Sequence, residues 1–145
     1  YHDIPFYIIK EEGTLKDGKR DGPFKYYDED GKIFEEVTMK NGIKDGPYKL
    51  YSDNGQLFTE GTMKDNRIYG PYKEYVYYEN GQLRYEKTYK NGIEDGPLKY
   101  YHENGQLSIE GNLKNEEQDG PWKYYDENGQ LYHKETFKDG ESDFK

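Results

Sequence analysis

The amino-acid sequence predicts an all-β protein, a single-layer twisted antiparallel β-meander built from tandem β-hairpin repeats of about 24 residues. Three observations predict it. The stretch "DGPWKYYDENGQL" at residues 119–131 returns nearly unchanged as "DGPLKYYHENGQL" at 95–107 and "DGPYKLYSDNGQL" at 45–57. Glycines, 17 in all, fall at regular intervals. The chain holds 18 tyrosines and no alanine, so rings suited to a pleated surface stand where the best helix former is missing.

The repeat is paced by Gly-Pro pairs at Gly22-Pro23, Gly46-Pro47, Gly70-Pro71, Gly96-Pro97 and Gly120-Pro121. This spacing places full repeats at 21–44, 45–68, 69–94, 95–118 and 119–142. Residues 1–20 form an N-terminal cap and half-repeat, and 143–145 start a further one. Each unit carries two turn signals. Asn54-Gly55, Asn80-Gly81, Asn104-Gly105 and Asn128-Gly129 read as two-residue type I′ hairpins, whose central residues both need positive φ. Asn41-Gly42 and Asn91-Gly92 mark the second turn, varied to Asp65-Asn66 and Asn115-Glu116. Two strands per repeat give about eleven in all.

A two-residue loop at Asn54-Gly55 puts Lys49 opposite Glu60, and the same count sets Lys25 opposite Glu36 and Lys99 opposite Glu110. Such pairs stabilise a sheet by roughly 0.2–1 kcal/mol each. In the fifth repeat the rule fails, because Lys123 faces Lys134. One face then carries Phe24, Tyr48, Tyr72, Leu98 and Trp122, joined by Ile33, Leu57, Leu83, Leu107 and Leu131 and by Met39, Met63, Tyr89, Leu113 and Phe137. The other carries the Lys–Glu pairs and a ladder formed by Tyr27, Tyr51, Tyr75, Tyr77, Tyr101 and Tyr125.

These residues resemble a known family. "DGPWKYYDENGQLYHKETFKDG" is similar to the MORN-repeat variant of bacterial proteins labelled toxin–antitoxin-system antitoxins, and the resemblance covers about residues 8 to 145. It implies a β-hairpin array that binds other proteins, as an antitoxin or immunity protein would, and performs no chemistry. Tyr69, where the pattern has Asp, and two extra residues in the third repeat depart from it.

Composition narrows the function classes. Ile, Leu, Val and Phe number only 24 of 145 residues and the net charge is −9, an acidic balance that disfavours nucleic acid and anionic lipid and suits a basic protein partner. No apolar run reaches the roughly 18 residues that span a bilayer. There is no cysteine, and therefore no cysteine-based metal or redox site. His102 and His133 lie three strands apart, too far for one metal ion, and "DEDG" at 28–31 and "DENG" at 126–129 lack the EF-hand spacing. No cofactor, metal or catalytic group is expected. The chain starts at Tyr1 instead of Met, which favours an exported or surface protein over a cytoplasmic one, although a true antitoxin belongs in the cytoplasm.

The expected binding residues follow from two departures from regularity. The longer "YKEYVYYENG" predicts a bulge or protrusion at Tyr75, Val76, Tyr77 and Tyr78. Trp122 and Tyr124 are the expected aromatic anchors, and Glu116 and Glu117 are expected to be rim carboxylates with no lysine opposite. Two other readings fit the same residues: an exported protein holding a host protein or glycan on its aromatic face, and an array that self-associates through that face.

Overall fold

The computed structural model describes residues 10–144. They form thirteen strands and no helix: β1 (Lys10–Lys16), β2 (Lys19–Tyr27), β3 (Ile33–Lys40), β4 (Ile43–Tyr51), β5 (Leu57–Lys64), β6 (Arg67–Ile68), β7 (Tyr72–Tyr77), β8 (Leu83–Lys90), β9 (Ile93–Tyr101), β10 (Leu107–Lys114), β11 (Glu117–Tyr125), β12 (Leu131–Lys138) and β13 (Glu141–Ser142). The architecture is the expected all-β antiparallel meander, and the chain divides into two compact units, Tyr1–Tyr72 and Lys73–Lys145. Eleven strands are those the repeat predicts. The other two are two-residue pieces, of which β6 is cut from β7 at Tyr69-Gly70-Pro71.

The two turns of the repeat exchange the roles expected of them. Lys40 pairs with Ile43, so Asn41-Gly42 is a two-residue loop, and both residues have positive φ (50° and 84°) as a type I′ turn requires. Asn54 has no positive φ, whereas Gly55 does (85°). Gly55 N–H donates to Ser52 O at 2.8 Å and Ser52 N–H to Gln56 O at 2.8 Å, which makes a three-residue loop of Asp53, Asn54 and Gly55. Its type I turn closes on a glycine in the left-handed region. The same bonds recur at Gly31, Gly81, Gly105 and Gly129. Side-chain carbonyls favour this loop over a two-residue one: Asn80 Oδ1 and Asn104 Oδ1 each accept from the backbone N–H two residues on, at 2.9 Å.

The expected Lys–Glu register nevertheless holds, because two departures cancel. The loop is one residue longer than predicted, and one residue of the following strand bulges. Tyr51 pairs with Leu57 but Leu50 with Thr59, which makes Phe58 the bulge residue; Phe34, Ser108 and Tyr132 are its counterparts. Lys25, Lys49 and Lys99 therefore face Glu36, Glu60 and Glu110.

The bulge corrects the face assignment. Beyond it the strand has changed sides, so Ile33, Leu57, Leu107 and Leu131 pair with Tyr27, Tyr51, Tyr101 and Tyr125 of the tyrosine face. Leu131 is 51% exposed. Phe34 takes the core place expected of Ile33 and lies 6.3 Å from the Tyr26 ring. Phe24, Tyr48, Leu98, Trp122, Met39, Met63, Leu113 and Phe137 are buried as predicted, while Tyr72 and Tyr89 are half-buried.

Each half builds its own core by laying rings over small neighbours. A Cβ on Gly111 would lie 2.3 Å from the Trp122 ring, and one on Gly13 would lie 2.5 Å from the Phe24 ring. Glycine there lets the ring lie against the next strand's backbone, which is how a single layer hides a large apolar area.

Candidate functional site

With the core assigned, the surfaces left for function are the hairpin rims and the tyrosine face. The three-residue loops set exposed carboxylates at one end of the hairpins: Glu29, Asp30 and Asp53 in the first half, Glu79, Glu103 and Glu127 in the second. Asp28 and Asp126 sit at the same rim but are bound inward, each Oδ1 accepting two backbone N–H groups at 2.9 Å. The type I′ loops form the opposite rim, and every one is preceded by an exposed lysine: Lys16, Lys40, Lys64, Lys90, Lys114 and Lys138. Glu116 and Glu117 belong to that rim, with Lys114 directly opposite Glu117. The expectation that no lysine faces them is thus corrected. Glu116 occupies the second turn position with φ 71°.

The stretch expected to bulge or protrude lies mostly within a strand. Tyr75, Val76 and Tyr77 run inside β7, half-buried, and Tyr78 opens a loop of the common type, its N–H donating to Gln82 O at 2.8 Å. The two extra residues lengthen the strand and leave the loop unchanged. Tyr78 Oη instead donates to Tyr101 O at 2.6 Å, stitching one repeat to the next. Trp122 is also no surface anchor. It is 7% exposed, its Nε1–H donates to Asn112 O at 3.2 Å, and it meets Phe137 edge-on at 6.0 Å. Tyr124 is half-buried and donates to Glu135 Oε1 at 3.3 Å; burial is the main cause of its raised pKa, Glu135 the next.

On the tyrosine face the aligned pairs Lys25–Glu36 and Lys99–Glu110 form no ion pair among the described residues. The carboxylates are taken by tyrosines fifteen residues on: Tyr27 to Glu12 at 3.1 Å, Tyr51 to Glu36 at 3.0 Å and Tyr125 to Glu110 at 2.8 Å. Burial, then the Glu36 bond, pushes the Tyr51 phenol up to about 12. The real ion pairs lie elsewhere, across the Gly-Pro segments: Arg20–Glu11 at 2.7 Å, Lys44–Glu35 at 2.6 Å and Lys87–Glu94 at 3.0 Å. A Glu with a cation nine residues on, repeated at 11/20 and 35/44, was the available signal for them. The Gly-Pro segments hid the contact, because there two extra residues bulge against the preceding strand.

His102 Nε2 lies 2.9 Å from Tyr125 O, and His133 sits between Tyr124 and Phe144. Among the described residues no group of three His, Cys, Asp or Glu could hold a metal ion. The arrangement offers rims, rings and lysines, which suit contact with another molecule.

The family described as the MORN repeat variant matches at residues 20–41, 44–65, 70–91, 94–115 and 118–139, most of the chain. The chain belongs to the MORN repeat variant family. MORN repeats are in general non-enzymatic protein- or membrane-binding repeats. In this MORN array each match joins the two kinds of hairpin just described. No curated protein matches the sequence.

Proposed function

We propose that the protein is a non-enzymatic scaffold of the antitoxin or immunity type that holds a basic protein partner. The observation that carries this reading is the acidic rim, Glu29, Asp30 and Asp53 in one half and Glu79, Glu103 and Glu127 in the other, on a chain of net charge −9. Rim charges mainly raise association rates, and salt lowers them over a Debye length of ~8 Å at physiological strength. Affinity then rests on exposed apolar groups, Leu131, Tyr132 and Phe144, because Trp122 is spent on the core.

The test compares wild type with Glu103→Lys plus Glu127→Lys as bait for partner capture, followed by association kinetics at two salt concentrations. A basic protein held by wild type, and bound more slowly and with less salt dependence by the variant, supports the reading. Equal capture and equal rates overturn it.

A further inference from the structure

The charged row on the tyrosine face changes sign from strand to strand. In the second half Glu86 faces Lys99, Lys99 faces Glu110, and Glu110 faces Lys123. On β12 the alternation breaks, since Lys123 faces Lys134. Like charges directly opposite destabilise a sheet. Among the described residues no carboxylate forms an ion pair with either lysine. Glu110 gives its carboxylate to the Tyr125 hydroxyl, and Lys99, Lys123 and Lys134 make no ion pair among the described residues. Lys99 and Lys123, on either side of Glu110, border a shallow cleft of about 270 Å³ between Pro97 and Pro121. The first half holds a smaller cleft, about 130 Å³, with Lys25 and Lys49 on either side of Glu36. There Lys25 and Lys49 face a glutamate on both sides, whereas Lys123 faces Glu110 on one side and Lys134 on the other, so the first half serves as an internal control.

We propose that the second-half cleft, extended by Lys134, is a binding site for an oxyanion, a carboxylate or phosphate group of a ligand. Two ammonium groups on directly opposed residues, with Cβ atoms about 5 Å apart, can both reach one anion between them. Tyr125 is a positioning residue that draws Glu110 away from the lysines, as Tyr51 does for Glu36 in the first half, so Lys134 is what distinguishes the two clefts. The site is separate from the acidic rim and does not depend on the function proposed above.

The experiment is a ¹H–¹⁵N NMR titration of the whole chain with inorganic phosphate, and in parallel with acetate. Shifts at Lys123, Lys134 and Tyr125, and none at Lys25 and Lys49, are expected. The tighter of the two anions identifies the group preferred. Lys134→Glu restores the alternation, so it should raise the urea midpoint while weakening phosphate binding at least about tenfold. Tyr125→Phe, which releases Glu110, should weaken binding while leaving Lys134 in place. Shifts spread evenly over both halves, binding indifferent to Lys134→Glu, or a lower urea midpoint for that variant would each overturn the proposal.

Discussion

The two halves fold the same repeat around unequal cores. Among the described residues the first buries Phe24, Tyr26, Phe34, Val37, Met39, Tyr48, Leu50 and Met63, with Phe58 packed against them. The second buries only Leu98, Leu113, Trp122 and Phe137, with Tyr100, Ile109 and Tyr124 partly covered. The difference comes from a few positions. The bulge residue is Phe34 in the first half but Ser108 and the exposed Tyr132 in the second. Val37, flanked by Phe24 and Tyr48, has Glu135 as its counterpart beside Trp122. Turns and glycines repeat, so the fold repeats; the side chains between them vary, and packing varies with them.

Truncating each half's central ring is the strongest way to break this contrast. Phe24→Ala and Trp122→Ala should each cost about 3–5 kcal/mol, read from urea unfolding. Trp122→Ala should lose structure in its own half, as seen by NMR. If it left stability intact, Trp122 would be the surface anchor its residue type suggests.

The ion pairs sharpen the comparison within the first half. Glu35 is 5% exposed at its side chain and its partner Lys44 18%, whereas Glu11 and Arg20 are both at 41%. Glu35→Ala takes a nearly buried carboxylate away from a covered ammonium and should cost about 3 kcal/mol. Glu11→Ala, at the equivalent position, should cost no more than about 1 kcal/mol. Equal losses would mean that burial does not set the value of this pair.

Alkali tests the tyrosines. A phenol ordinarily titrates at 10.0, but burial and Glu36 hold Tyr51 up to about 12, and burial and Glu74 do the same for Tyr89. A pKa raised on folding contributes stability that is complete below pH 10 and drains away as pH climbs towards 12. Tyrosinate absorbance and circular dichroism should therefore change together between those values. Full ionisation near pH 10 without unfolding would contradict the Tyr–Glu ladder.

The smallest effect concerns one turn. Glu116 holds a positive φ where other type I′ loops have Gly42 or Gly92. Glu116→Gly should stabilise the second half by about 1 kcal/mol, seen as a higher urea midpoint.

Much of this was legible in the chain. The spacing of Gly-Pro pairs and Asn-Gly turns is enough for the strands and their order, because turn chemistry acts over a few residues. The Lys–Glu register was legible only through cancelling departures, a longer loop and a bulge at Phe58. The candidate site was less legible. Trp122 and the Tyr75–Tyr77 stretch look like surface features in a one-dimensional reading, yet one is core and the other strand, since the small Gly111 beneath the Trp122 ring is what admits it.

The sequence alone determined the hairpins, their order and the break at Lys123 and Lys134, all of which follow from local turn preferences and counting. Only the tertiary structure decided which carboxylates meet cations and which meet tyrosines, and which rings are buried. Those outcomes depend on bulges that flip a strand's faces and on long side chains that choose between partners several ångströms apart, and neither is written in the spacing of the repeat.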